Sequence, residues 1–179
     1  MQIQGPNGNV AKVDDEGRLM AFAVSEPEDK HLNQEGGVHS IYFDVTPTGA
    51  NDYFYYLENT GTSDLLVTDV RISSTVATYI YYEYVSGTPT YVTGTDTADT
   101  NRNLGSSRQL GAVSKYDTDI TGLTSEGIIF WERCATVDTR YKLSTTSNIF
   151  IPQGKAIAFK REAATGAIKA LISVVDSAS

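Results

Sequence analysis

Carboxylate pairs that could bind a cation are the first chemistry that the sequence offers. Asp96 with Asp99, and Asp117 with Asp119, lie close enough along the chain to offer oxygen ligands to Ca²⁺ from one loop. Neither pair extends into the Asp-x-Asp-x-Asp-Gly pattern, with a later glutamate, that an EF-hand uses. We therefore expect these to be solvated loop carboxylates, and we predict no metal and no cofactor.

Hydrolytic chemistry would need a second kind of arrangement. Glu58 and Glu83 are a candidate carboxylate pair on neighbouring strands, but a glycosidase needs two such groups at a defined separation across a cleft, which spacing alone does not show. The sequence has no Gly-x-Ser-x-Gly motif and no glycine-rich phosphate loop. The two histidines, His31 and His39, lie in or beside a polar linker, and neither is a convincing base for Cys134 or for a serine. The sequence thus predicts that the chain is not an enzyme.

Composition narrows the class of partner. The chain has 179 residues, enough for one domain with a real core, and a net charge of -8. Nucleic acids and anionic membranes bind mainly through lysine and arginine, so we predict neither as a partner. Cys134 is the single cysteine, which excludes an intrachain disulfide, and its apolar surroundings predict a buried, inert thiol. The start of the chain shows no secretory pattern, and no apolar run is long enough to span a membrane, so we expect synthesis in a reducing cytoplasm.

Short strands separated by turns must position any site. The strongest signal is the run 53–73, which reads as two strands joined by a polar turn. Ser40 to Thr46 alternates Ile41, Phe43 and Val45 with polar residues, and 76–85 predicts a further, tyrosine-rich strand. Helical periodicity is absent, and 94–126 has almost no regular pattern. The predicted fold is all-β, an antiparallel β-sandwich of jelly-roll type.

The first 37 residues differ from the rest. Val10 to Val13 and 18–24 predict a small hairpin around the turn Asp14-Asp15-Glu16-Gly17, and 25–37 reads as a linker. We therefore divide the chain into an N-terminal arm with its hairpin, 1–37, and a β-sandwich domain, 38–179. An isolated hairpin is marginal in water, so the arm is expected to pack on the domain or on a neighbouring protein.

Aromatic residues exceed what one face of a thin sandwich can bury. Tyrosine provides a large amphipathic contact with few rotatable bonds, which suits protein interfaces and sugar stacking. Together with apolar residues of the arm, the outward members of the aromatic strands give a set of candidate interface residues. The set is Val10, Val13, Leu19, Phe22, Phe54, Tyr56, Tyr79 and Tyr81.

Three motifs follow one another along the chain: 8–19, Glu58-Asn59-Thr60-Gly61 with Leu65-Leu66-Val67, and Phe150-Ile151-Pro152-Gln153-Gly154. Their order resembles that of small virion structural proteins of tailed bacteriophages. Those proteins open with an N-G-x-V-A-x-V-D…G-R-L hairpin, and 8–19 here read GNVAKVDDEGRL. They continue into a β-sandwich with an N-x-(G/S)-x-x-x-L-x-(V/I) hairpin, to which Glu58-Asn59-Thr60-Gly61 and Leu65-Leu66-Val67 are similar. The closing run Phe150-Ile151-Pro152-Gln153-Gly154, followed by an apolar strand, is also similar to that group.

The resemblance implies a structural role in a virion. Proteins of that group attach to the capsid as decoration or cement subunits, or lie in tail, collar or baseplate assemblies. Many are homo-oligomers, so we expect this chain to form one, for example a trimer. The expected partners are the major capsid protein or other virion proteins, and the capsid surface is the preferred location. A carbohydrate-binding module for host attachment, with Tyr81, Trp131 or Tyr56 as stacking platforms, is the alternative. A glycan hydrolase using Glu58 or Glu83 is a further one.

Overall fold

The computed structural model describes residues 2–4, 10–13, 19–20, 33, 35–97, 99–135, 141–142, 148–162 and 165–176, with the backbone alone for 2–4, 10–13, 19–20 and 141–142. Within these ranges the strands are β1 Gln2–Gln4, β2 Val10–Val13, β3 Leu19–Met20, β4 Val38–Val45, β5 Tyr53–Asn59, β6 Leu65–Ser74, β7 Thr78–Tyr91, β8 Thr95–Asp96, β9 Asp99–Asn101, β10 Ala112–Cys134, β11 Tyr141–Lys142, β12 Ile149–Ile151, β13 Ala156–Arg161 and β14 Ile168–Asp176. None of the described elements is a helix with the length and apolarity that crossing a membrane would need.

Two antiparallel sheets form the body of the domain. In the first sheet the strands run β9-β4-β14-β6, with β11 and β12 both paired to β6. In the second sheet they run β5-β13-β7-β10, with β8 beside β10. Of the eight principal strands, β4, β6, β12 and β14 lie in one sheet and β5, β7, β10 and β13 in the other, so the chain crosses repeatedly between them. This is the jelly-roll arrangement, and it confirms the predicted antiparallel β-sandwich.

The core between the sheets follows from alternation along the strands. Ile41, Phe43 and Val45 are all buried, as the sequence predicted. The Phe43 ring stacks on Tyr55 with centroids 4.7 Å apart, and Phe159 lies 4.8 Å from Tyr55. Burial of each such side chain contributes about 1.5–3 kcal/mol to folding, so this aromatic layer is a principal source of stability.

The strand β10 closes the second sheet into a ring. Its first part pairs with β5 and its second part pairs with β7, and Ile120 lies opposite both Tyr53 and Tyr91. A second apolar cluster fills the ring, on the face of β13 that points away from the main core. Its members are Tyr56, Val85, Ile120, Ala156 and Ala158, with Tyr53, Tyr91 and Leu123 packed against them.

Two glycines allow the bends that closure requires. Gly87 in β7 and Gly122 in β10 have φ values of 97° and 77°, where side chains with a Cβ are strained. A Cβ on either residue would meet a backbone carbonyl of the other strand at 2.4 Å. The segment 94–126, whose sequence has almost no regular pattern, is only partly irregular, because 102–111 lie between strands. It holds β8, β9 and the first part of the longest strand, where Gly122 forms a bulge within β10 instead of ending it.

The N-terminal strands form a separate small sheet in the order β1-β2-β3. Val13 lies opposite Leu19 and Lys12 opposite Met20, so the predicted pairing of 10–13 with the segment after the turn is confirmed. Residues 14–18 and 21–32 lie outside the described residues. The boundary between arm and domain at residue 37 stays a prediction.

Candidate functional site

Two of the predicted interface residues are buried instead of exposed. Opposite β5, Phe159 pairs with Tyr55 and Lys160 pairs with Tyr53, so Phe54 is an extra residue in a β-bulge. The bulge places both Phe54 and Tyr55 in the main core, each with no exposed surface. Tyr56 is only 4% exposed because the ring closed by β10 covers it. The prediction that Phe54 and Tyr56 face partners is therefore wrong.

The other aromatic candidates remain on the surface. Tyr79 and Tyr81 are half-buried on the outer face of β7, and across from Tyr81 on β10 lies Trp131, which is 56% exposed. The Tyr79 ring lies 6.5 Å from the Tyr81 ring, nearly parallel to it, and 5.6 Å from the Trp131 ring at an angle of 59°. We call Tyr79, Tyr81 and Trp131 the aromatic surface. These side chains lie on the outer face of β7 and β10, outside the part that the ring closed by β10 covers.

Charged groups of both signs border the aromatic surface. The guanidinium of Arg133 lies 5.7 Å from the centre of the Tyr79 ring, and the Tyr81 hydroxyl donates to Glu162 Oε1 at 3.4 Å. Desolvation, followed by the charge of Glu162, raises the pKa of Tyr81, so this hydroxyl remains protonated at neutral pH. A cleft of about 140 Å³ opens between Tyr79, Arg133 and Glu162. The surface therefore offers apolar ring area, hydrogen-bond donors and a carboxylate acceptor side by side.

A polar hub lies beside the aromatic surface, where Lys160 Nζ is 5.9 Å from the centre of the Tyr81 ring. The hub consists of Tyr53, Glu83 and Lys160. Glu83 is 1% exposed, binds Lys160 Nζ at 2.6 Å and accepts a hydrogen bond from the Tyr53 hydroxyl at 2.5 Å. Burial would raise the pKa of Glu83, but hydrogen bonds from Lys160, Tyr53 and Ser125 outweigh it and lower that pKa. Glu83 is thus an ionised carboxylate held by neighbours, and its pairing does not match the hydrolytic role considered for it.

The other residues that could bind a metal or act in catalysis also pair with groups of the protein. Asp96 lies 2.9 Å from Lys115, and Asp99 lies 2.8 Å from His39 Nδ1. Asp117 is 2% exposed and accepts backbone N–H bonds from Thr93, Gly94 and Thr118. Among the described residues no group of three or more His, Cys, Asp or Glu side chains is placed to hold a metal.

The predicted burial of Cys134 is confirmed. The residue has no exposed surface and belongs to the main core. Burial, followed by the charge of Glu132, raises the pKa of its thiol to about 11. The nucleophilic thiolate is therefore scarce at neutral pH.

An apolar groove, which the sequence did not reveal, opens where the two sheets part. Its floor includes Ile149, Ile151 and Ile157, which belong to the main core, and its walls carry Ile129 and Phe150. Phe150 is 66% exposed and Ile129 is 45% exposed, and the groove measures about 400 Å³. The alternation of Phe150 with two buried isoleucines in β12 was the available signal. That pattern does not show that Ile129 lies beside Phe150, because Ile129 comes from the other sheet.

The predicted interface residues of the N-terminal arm are not tested by the structure. Val10, Val13 and Leu19 lie in β2 and β3, and the structure describes the backbone there. Phe22 lies outside the described residues. Their role as interface residues remains a prediction.

Comparison with known proteins identified no protein that is similar to this chain. The chain matches no protein-family model, no curated protein and no solved structure.

Proposed function

We propose that this chain is a non-enzymatic structural protein of a virion, most concretely a decoration or cement protein that binds the surface of a capsid. The observation that carries the proposal is the apolar groove, an exposed extension of the core with two large anchors, Ile129 and Phe150. Exposed apolar surface of this kind marks protein contact sites on soluble domains. The motif order that resembles small virion proteins supplies the setting, with tail, collar or baseplate positions as alternatives within it.

The groove has the properties of an anchor site. Full burial of Phe150 and Ile129 against a partner would contribute about 1.5–3 kcal/mol each. Contributions of that size are typical of the few residues that dominate an interface. Lys155 lies 5.9 Å from the Tyr84 ring at the rim, so a charged group borders the apolar floor. An apolar centre with a polar rim is the usual anatomy of a protein interface.

The net charge sets the salt dependence of assembly. A chain with a charge of -8 repels its own copies and other acidic subunits in dilute salt. Apolar contact is not weakened by screening, whereas the repulsion is. Binding through the groove should therefore strengthen when salt rises from about 0.05 M to about 0.5 M, the opposite of binding through ion pairs.

The test compares matched exposed substitutions. Phe150→Ser and Ile129→Ser should each weaken co-sedimentation with capsids, and weaken any oligomer seen by light scattering, by about tenfold or more. Leu104→Ser is the control, because Leu104 is 90% exposed and lies outside the groove. Mass spectrometry of density-purified particles should also detect the chain in the virion.

Three results would count against the proposal. The chain could be absent from purified particles, or the groove variants could bind capsids as well as Leu104→Ser does. A third is that Phe150→Ser unfolds the domain as a core substitution would, which would mean that the groove serves folding instead of assembly.

A further inference from the structure

We propose that the aromatic surface is a carbohydrate-binding site, which takes a neutral hexopyranose of a polysaccharide with Trp131 as the stacking platform. This binding is separate from attachment to a capsid, because it uses a different face from the groove. The inference rests on the combination of exposed rings with hydrogen-bonding groups of both kinds at their edge.

The indole supplies the apolar part of recognition. Trp131 is 56% exposed although it lies in a long strand, and its pairing with Tyr81 of β7 fixes its backbone. The neighbouring Tyr79 ring, tilted by 59° at 5.6 Å, forms an angled wall beside it. Rings held by sheet pairing lose little conformational entropy on binding, which favours contact with the C–H face of a sugar.

The charged residues supply the polar part. A sugar hydroxyl both donates and accepts, so a site needs a donor and an acceptor within reach of one ring. Arg133, held beside the Tyr79 ring, offers guanidinium N–H groups, and Glu162 offers a carboxylate that already accepts from Tyr81. The cleft between them, about 140 Å³, is smaller than the roughly 300–1,000 Å³ of pockets that enclose a ligand. It can seat the edge of one sugar ring, which is the form of a shallow polysaccharide site.

The same observations disfavour a nucleic acid on this surface. Stacking platforms also bind bases, but the affinity of such sites depends on cations that meet phosphates. Here Lys160 is paired with Glu83, Glu162 adds negative charge, and the whole chain carries -8. A neutral sugar meets no such repulsion.

Intrinsic fluorescence gives a direct assay, because Trp131 is the only tryptophan of the chain. The full chain would be applied to an array of immobilised polysaccharides. It would then be titrated with soluble cello-, laminari- and manno-oligosaccharides up to about 10 mM, a limit that still detects weak binding. We expect a saturable change in fluorescence with at least one of these probes. Glu162→Gln and Arg133→Met keep the fluorophore, and each should weaken that binding several-fold.

Calorimetry then tests the platform itself. Trp131→Ala should weaken binding by about tenfold or more, while Tyr42→Ala should leave it unchanged, since Tyr42 is equally exposed at 56% but lies on the first sheet. Phe150→Ser should also leave sugar binding intact, which separates this proposal from the assembly proposal. Absence of any fluorescence change, or equal binding by Trp131→Ala and the wild type, would overturn the inference. The inference would also be overturned if the wild type bound no sugar and Trp131→Ala lost an oligomer that the wild type forms. The surface would then be a protein interface.

Discussion

Substitution of Lys160 by methionine should reveal how strongly the hub of Tyr53, Glu83 and Lys160 holds the second sheet. The carboxylate of Glu83 is 1% exposed, and Lys160, whose side chain is 22% exposed, is its charge partner at 2.6 Å. Removal of one partner from a buried ion pair typically costs 3–5 kcal/mol, because a charge is left buried without compensation. The partial exposure of Lys160 and the remaining hydrogen bond from Tyr53 reduce this, so we expect a loss of about 2–3 kcal/mol in the free energy of unfolding.

A double-mutant cycle separates the pair from its surroundings. Glu83→Gln alone should cost about 1 kcal/mol, because the lysine left behind can still reach water. The double variant should be more stable than the sum of the single costs predicts, with a coupling of about 1–2 kcal/mol. Lys169→Met is the matched control, since Lys169 pairs with Asp44 at 3.7 Å and both side chains are about half exposed. It should change stability by no more than about 0.5 kcal/mol.

The pH dependence gives the sign of the effect. In the wild type the lowered pKa of Glu83 means that its contribution is present above the ordinary glutamate pKa and is lost as pH falls through the folded-state value. Without Lys160, burial should instead raise this pKa, so that the variant recovers stability as the carboxylate takes up a proton. The cost of Lys160→Met should therefore be smaller at about pH 5 than at about pH 7.

Urea denaturation followed by Trp131 fluorescence measures all of these quantities. This role of Lys160 would be contradicted if Lys160→Met cost no more than Lys169→Met, or if its cost did not depend on pH. Either result would show that water reaches Glu83 well enough to replace the lysine.

Two further predictions concern the turns and loops around the ring. Gly122→Ala should lower the free energy of unfolding by more than about 2 kcal/mol, because the new Cβ would meet the carbonyl of Thr88. Gly154→Ala is the control, since Gly154 has a similar φ of 69° but open space around it, and it should cost about 1 kcal/mol. Equal costs in urea denaturation would contradict the steric reason. Asp117→Asn should destabilise the chain by about 1–3 kcal/mol at pH 7, because three backbone N–H bonds oppose the effect of burial and lower the pKa of Asp117. That cost should shrink as pH falls through the folded-state pKa of Asp117, and a cost that persists there would exclude the carboxylate charge as its origin. Asp119→Asn is the opposite control, because burial and then its acidic neighbours Asp52 and Asp117 raise the pKa of Asp119, so its neutralisation should leave the chain as stable or more stable at pH 7.

Much of the fold was predictable because strand alternation directly reports which face is buried. The pattern of Ile41, Phe43 and Val45 placed β4 correctly, and the turn signals separated the strands closely enough to identify the sandwich. Alternation fails where a bulge adds one residue. The bulge at Phe54 reversed the predicted side of that residue, and nothing in the residue types around it marks the position.

The candidate sites were less predictable because each combines strands that are distant in sequence. Tyr79 and Tyr81 were predicted to point outward, but their meeting with Trp131 depends on a register across β7 and β10 that includes several bulges. The groove depends in the same way on Ile129 and Phe150, which come from different sheets. Local patterns predict exposure one strand at a time, whereas a site needs the pairing.

Closure of the second sheet explains why the chain has so many tyrosines on two faces of its strands. A thin sandwich buries one face of each sheet, yet here β10 covers part of the other face as well, and the rings of Tyr53, Tyr56 and Tyr91 pack within that cover. Phenylalanine would fill the same space, but two of the hydroxyls donate to carboxylates, that of Tyr53 to Glu83 and that of Tyr56 to Glu58 at 3.2 Å. The abundance of aromatic residues therefore does not by itself indicate a binding face. The rings of the aromatic surface lie beyond that cover, and for that reason the carbohydrate proposal rests on Trp131 and its neighbours instead of on β5.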